Sequence, residues 1–83
     1  MKKDKNEILK ALGDLLDVVE ELRQKCPWDR KQTNESLRCN TIEEVYELSA
    51  ALMADDADNI RKELGDVLLH VLFYSIIGKE KNQ

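Results

Sequence analysis

The sequence has few residues that interrupt a helix and no segment suited to crossing a membrane. It contains one proline and three glycines among 83 residues, so few positions can break regular structure. No apolar run approaches the roughly 18 residues that span a bilayer. The lysine-rich start leads into Asp4 and Glu7 instead of the apolar stretch of a signal peptide. We therefore expect a cytoplasmic protein without a membrane partner.

The sequence also has few cysteine or histidine residues that could bind zinc, and it has no excess of positive charge. Cys26, Cys39 and the single histidine, His70, match no zinc-binding spacing, and a cytoplasmic location argues against a structural disulfide. Lysine and arginine total 13 against 17 acidic residues, a net charge of −4. Binding to nucleic acid through its phosphates is therefore not expected. A basic partner or a bound cation suits this balance better.

What the chain does have is helical periodicity, without any strand-like alternation. The pattern predicts three main helices in a single domain over residues 1–83, packed as an antiparallel all-α bundle. A loop after Pro27 follows the first helix, and Thr33 caps the second helix. We expect the second helix to be continuous, although Thr41 could begin a capping box that marks a later start. The predicted helices span residues 6–25, 33–53 and, after the connector Ala54-Asp55-Asp56, whose aspartates can cap the next helix, residues up to about 77. We expect Gly78 to end the last helix and residues 79–83 to fray.

The third helix is apolar around most of its circumference. Its one polar stripe holds Glu63, Asp66 and His70, because a helix turns by about 100° per residue. A three-helix monomer cannot cover every side of such a helix, which favours a homodimer. His70 could support a carboxylate, but a hydrogen-bonded core or interface histidine is the preferred interpretation.

The second helix carries a matching acidic side with Glu43, Glu44 and Glu47. By itself this could be an ordinary solvated surface. If a short turn sets it opposite Glu63 and Asp66, the clustered carboxylates repel each other and require a positive charge between them. The site lacks the Glu-x-x-His ligands of di-iron bundles. Magnesium or manganese is therefore the expected ion.

Several segments in order resemble the MazG family of nucleoside triphosphate pyrophosphohydrolases. They are CPWD at residues 26–29, Gln32-Thr33, EEVYE at residues 43–47 and ELGD at residues 63–66, with 15 residues between the last two. The resemblance implies an all-α fold that dimerises into a helical bundle, with tetramers as a further option. It also implies Mg²⁺-dependent cleavage of a (d)NTP to a nucleoside monophosphate and pyrophosphate, with Mn²⁺ as a substitute ion. The expected role of this reaction is house-cleaning, the removal of unwanted triphosphates from the nucleotide pool.

By position, the resemblance also assigns the acidic residues. Glu44, Glu47, Glu63 and Asp66 match the family's metal ligands. Glu43 matches an adjacent acid that orients or activates water, and either Glu43 or Glu47 is the candidate general base.

The substrate-binding candidates lie in the segment before the second helix: Trp28, Asp29, Arg30 and Lys31. Trp28 could stack on a nucleobase or fill the corner between helices. Asp29 could cap the loop or contact substrate. Two alternatives to nucleoside triphosphate hydrolysis remain open. The chain could be a non-catalytic helical interaction module, or it could hydrolyse another phosphate anhydride such as phosphoribosyl-ATP.

Overall fold

All regular structure in the described part of the chain is helical. The computed structural model describes residues 4–83. Its helices are α1 Lys5–Lys25, α2 Pro27–Lys31, α3 Asn34–Ala54 and α4 Ala57–Glu80. The predicted all-α class is confirmed. None of the described helices combines the length and apolar character needed to cross a bilayer.

The chain forms two compact units, and the first is Met1–Lys31. Its helix α1 begins after Asp4, whose carboxylate accepts the Glu7 N–H at 2.8 Å. The loop predicted after Pro27 is wrong, because residues 27–31 form the short helix α2. Proline is well tolerated at a first helical position. Arg23 also stabilises this turn by donating to the Asp29 carbonyl at 2.6 Å, so a carbonyl left unpaired by so short a helix gains a partner.

The second unit, Gln32–Gln83, is a helical hairpin of α3 and α4. Thr33 caps α3 as predicted, in a reciprocal capping box with Ser36. The helix is continuous through Thr41, which confirms the preferred interpretation. Asp55 adopts a left-handed conformation with φ of 53°, and Asp56 caps α4 by accepting the Asn59 N–H at 3.3 Å. The connector is therefore Asp55 and Asp56, and Ala54, predicted to belong to it, is instead the last residue of α3.

The predicted end of the last helix at Gly78 is wrong. Helix α4 continues through Gly78 to Glu80, and the Lys81 N–H bonds the Gly78 and Ile77 carbonyls at 3.1 and 3.2 Å. Glycine inside a helix costs only about 1 kcal/mol relative to alanine, so it weakens a helix without having to end it. The fraying of residues 79–83 stays a prediction.

Within the hairpin, both polar and apolar side chains lie in the α3–α4 seam, and many other apolar side chains are exposed. Thr41 contacts His70, and Glu44 lies near Glu63, so positions rise along α3 as they fall along α4. The helices are therefore antiparallel. Four apolar side chains and one acid are buried in the hairpin: Leu37, Ala51, Phe73, Ile77 and Glu63. The exposed apolar side chains form what we term the outer apolar surface: Ile42, Val45, Tyr46, Leu52, Met53, Leu64, Leu68, Leu69 and Val71.

Candidate metal centre

Three carboxylates converge at the middle of the α3–α4 seam. Glu44 of α3 and Glu63 and Asp66 of α4 each place an oxygen within 4.8 Å of the others. Residues three apart share one side of a helix, so Glu63 and Asp66 face α3 together. The antiparallel hairpin then brings Glu44 opposite them. Local helical geometry is thus enough to build this cluster once the two helices pack.

The cluster contains polar atoms that the protein itself leaves unsatisfied. Glu63 is only 7% exposed. Among the described residues, neither the Glu63 Oε2 nor the Glu44 Oε2 has a hydrogen-bond partner, although both atoms are buried. Lys62 is the nearby cation, but its Nζ lies 3.9 Å from the Glu63 Oε1 and its side chain is 71% exposed. Buried carboxylate oxygens without partners are costly, so these two atoms are suited to contact a cation or a hydrogen-bond donor.

Electrostatics at Glu44 support the same interpretation. Burial raises the pKa of Glu44 above its ordinary value of 4.5, and the negative charges of Asp66, Glu47 and Glu63 raise that pKa further. A raised carboxyl pKa means that the folded hairpin disfavours the negative charge on Glu44. A cation placed among these acids would reverse that penalty.

The dimensions of the cluster suit one divalent cation. The three ligand atoms lie within 4.8 Å of one another. Oxygens on opposite sides of Mg²⁺ are about 4.2 Å apart, since each lies about 2.1 Å from the ion. Carboxylate oxygens are hard ligands of the kind that Mg²⁺ and Mn²⁺ prefer. The donor set and its unsatisfied oxygens therefore fit such an ion.

Two of the predicted acids lie at the edge of this cluster. Glu47 is exposed one turn along α3 from Glu44, and its charge acts on Glu44. Glu43 is also exposed and is not one of the three converging carboxylates. The structure thus brings together Glu44, Glu63 and Asp66 and leaves Glu43 and Glu47 open to solvent. Metal ligation by the four predicted residues stays a prediction.

The predicted substrate-binding residues belong to the other compact unit. Trp28 is 56% exposed on α2. The Asp29 and Arg30 carbonyls accept bonds from Arg23 at 2.6 and 3.4 Å. Arg30 and Lys31 are exposed. Their contact with substrate stays a prediction.

A polar network beside the cluster was only partly foreseen. The His70 Nδ1 lies 2.6 Å from the Thr41 Oγ1, and the Tyr74 hydroxyl also bonds that oxygen. His70 is thus a hydrogen-bonded residue of the α3–α4 seam, as the preferred interpretation held. The role of Thr41 was missed, because its sequence context suggested a helix cap. Its place one turn before Glu44, on the side facing α4, is the signal that could have identified it.

Comparison with known proteins adds an independent result for this hairpin. The profile of the MazG nucleotide pyrophosphohydrolase domain matches residues 32–83, the unit that carries the converging carboxylates. The chain belongs to the MazG family.

Individual MazG relatives are similar over most of this chain. A Thermotoga maritima protein named nucleoside triphosphate pyrophosphohydrolase/pyrophosphatase MazG is 47% identical over 70 residues, covering 82% of this chain and 28% of its own length. The nucleoside triphosphate pyrophosphohydrolase of Mycobacterium tuberculosis is 42% identical over 87% of this chain and 22% of its own length. The Escherichia coli K12 protein of the same name is 39% identical over 90% of this chain. This chain spans about 30% of the length of that Escherichia coli relative.

Proposed function

We propose that this MazG chain hydrolyses nucleoside triphosphates, (d)NTP, to nucleoside monophosphates and pyrophosphate with Mg²⁺ as cofactor. The supporting observation is the convergence of Glu44, Glu63 and Asp66 within 4.8 Å in the hairpin that matches the family. Relatives of this hairpin are named nucleoside triphosphate pyrophosphohydrolases. Mn²⁺ is the expected substitute, because it accepts the same hard oxygen ligands.

In this proposal Glu44, Glu63 and Asp66 hold the cation, and Glu47 reaches it from the exposed edge of α3. A bound divalent ion would polarise the phosphoryl oxygens and lower the pKa of a bound water. The buried oxygens of Glu44 and Glu63 are suited to this role because no hydrogen bond to another described residue competes for them. Their partial burial also strengthens their attraction for a cation, since screening by water is reduced.

A carboxylate at the edge of the cluster takes the proton from water. The water oxygen bonds to the α-phosphorus, the bond from that phosphorus to the bridging oxygen breaks, and pyrophosphate leaves. Glu43 and Glu47 are the candidates, since both are exposed beside Glu44. General-base catalysis of this kind contributes about 10²- to 10⁴-fold in rate.

The rest of the substrate needs contacts that the carboxylates cannot supply. We assign stacking on the base to Trp28, whose ring is more than half exposed at 56%. Arg30 and Lys31 offer exposed positive charge for the phosphates, and Asp29 is the candidate for a polar contact to the nucleoside. These assignments also fit a cytoplasmic enzyme that clears unwanted nucleotides and does not bind nucleic acid.

The outer apolar surface supports a homodimer, which could pair further into a tetramer. Ile42 is 62% exposed, Leu64 is 52% exposed and Val71 is 52% exposed. Exposed apolar area of this extent on a short hairpin favours burial against another surface. A second copy supplies the matching apolar side chains by symmetry.

Pyrophosphate release from a panel of (d)NTPs, with and without Mg²⁺, tests the proposal. We expect Mg²⁺-dependent release by the wild type and its loss in Glu63→Gln, with Asp58→Asn as a matched control. Asp58 is an exposed acid of α4 paired with Arg61, so its loss should leave activity unchanged.

The outcomes separate the competing functions. Metal-dependent hydrolysis of phosphoribosyl-ATP or of a dinucleotide, with the (d)NTPs left intact, would point to another phosphate anhydride as the substrate. Absence of both hydrolysis and metal binding would support a non-catalytic interaction module.

A further inference from the structure

The Thr41 hydroxyl connects both helices of the seam at one point. Its Oγ1 lies 2.6 Å from the His70 Nδ1 and 3.1 Å from the Leu37 carbonyl, and it also bonds the Tyr74 hydroxyl. Leu37 belongs to the same helix as Thr41, whereas His70 and Tyr74 belong to α4. A single threonine thus ties α3 to two residues on successive turns of α4.

Counting donors and acceptors gives one arrangement that satisfies all three contacts. A threonine hydroxyl has one proton and two lone pairs. If Thr41 donates to the Leu37 carbonyl, it can accept from both the Tyr74 hydroxyl and the His70 Nδ1–H. Neutral His70 then carries its proton on Nδ1. Every hydrogen-bonding position of the Thr41 hydroxyl is used in this arrangement.

This network lies one turn from the carboxylate cluster on both helices. Thr41 precedes Glu44 by three residues and His70 follows Asp66 by four, which corresponds to about 4.5 Å and about 6 Å along the helix axes. The carboxylates repel one another until a cation binds, so they cannot by themselves hold α3 close to α4. Buried apolar side chains such as that of Phe73 also hold the two helices together, and a hydrogen-bonded contact beside the cluster can fix their spacing at the acids.

We infer that Thr41, His70 and Tyr74 act as positioning residues that fix the separation and register of α3 and α4 at the carboxylate cluster, and so set its affinity for a divalent ion. This inference rests on the proposed function, because it takes the cluster as the metal site. The three residues do not touch the ion. They act by keeping Glu44 within reach of Glu63 and Asp66, and residues that orient metal ligands commonly change affinity by about 10- to 100-fold.

The site gives a matched pair of variants at Thr41. Thr41→Val keeps the shape and removes the hydroxyl, whereas Thr41→Ser keeps the hydroxyl. An open groove of about 430 Å³ lies beside Thr41 and is lined also by Arg38, Ile42, Val45 and Tyr74. The methyl group that replaces the hydroxyl in Thr41→Val therefore has room. Tyr74→Phe removes one hydroxyl of the network without changing the ring. It replaces Thr41→Val in the binding measurement if Thr41→Val does not fold.

Mn²⁺ titration of the purified chain, followed by electron paramagnetic resonance, measures the effect. We expect Thr41→Val to weaken Mn²⁺ binding by about tenfold or more, and Thr41→Ser to stay within about threefold of wild type. Thermal unfolding in EDTA reports stability separately. An unchanged Mn²⁺ affinity in Thr41→Val, with or without a loss of stability, would show that the network is only structural and overturn the inference. If wild type binds no Mn²⁺, the proposed function fails and the inference fails with it.

Discussion

Replacing Glu63 with glutamine removes one negative charge from the most buried of the three converging carboxylates with little change in shape. Glu63 is 7% exposed and lies within 4.8 Å of oxygens from Glu44 and Asp66. Two unit charges at 4.8 Å repel by about 0.9 kcal/mol in water and about 3.5 kcal/mol at an effective dielectric constant of 20. Glu44 and Asp66 are partly exposed, so a gain of about 1–3 kcal/mol is expected for the metal-free variant.

The variant should therefore be more stable than wild type in EDTA and less responsive to metal. Each kcal/mol corresponds to about 4–8 °C in Tm for a domain of this size. Wild type should gain about 2.7 kcal/mol when Mg²⁺ reaches 100 times its Kd, because the ion binds only the folded state. Glu63→Gln should gain much less, so the order of stability should reverse as Mg²⁺ is added.

Circular dichroism melts at neutral pH, in EDTA and across a Mg²⁺ series, measure both effects. Asp58→Asn removes an exposed acid of the same helix and should follow wild type in each condition. A Glu63→Gln protein that melts below wild type in EDTA would refute the reasoning. That result would mean that the Glu63 carboxylate stabilises the metal-free hairpin instead of being held there against repulsion.

Other perturbations test the remaining features. Burial and neighbouring acids raise the pKa of Glu44 above 4.5, so the folded state binds this proton more tightly than the unfolded chain does. The free energy of unfolding without metal should then fall as pH rises from 4.5 through the raised pKa, and Glu44→Gln should remove that decline in melts at several pH values. Val71→Glu places a charge on a 52% exposed side chain of the outer apolar surface and should weaken self-association by about tenfold or more in sedimentation equilibrium; an unchanged association constant would place the dimer contact elsewhere. A Cβ at Gly78 would meet nothing within 4 Å, so Gly78→Ala should raise stability by about 0.5–1 kcal/mol in urea titrations, and a loss would reveal another surface packed there.

Helical phase was enough to predict the three long helices and the convergence of three acids between two of them. Thr33 and the connector aspartates were identified as caps because their side chains can satisfy free N–H groups within the next turn, and Thr33 and Asp56 do so. Glu44, Glu63 and Asp66 were expected to meet because their angular positions are fixed by helix geometry and the connector is short. Caps and angular positions depend on residues close together in the chain, so they can be predicted from the sequence.

The features that were missed depend on competition between alternative local structures, or on contacts between residues far apart in the sequence. Pro27 can end a helix or begin one, and the bonds from Arg23 to the following carbonyls help α2 to form. Gly78 weakens α4 without ending it. The Thr41–His70 bond joins residues from two helices at 2.6 Å, so it depends on the side-chain register of a packed pair. Periodicity along one helix does not determine that register.

The position of the carboxylates on either side of a two-residue turn has a consequence for how the site is assembled. Contacts between neighbours in the chain lose little entropy on closure and form early in folding. The acids of α3 and α4 can therefore meet as soon as the hairpin closes, while Val45, Leu64 and similar side chains still face water. If these acids hold a cation as proposed, one hairpin supplies all three ligands, and no association with another chain is needed to bring them together.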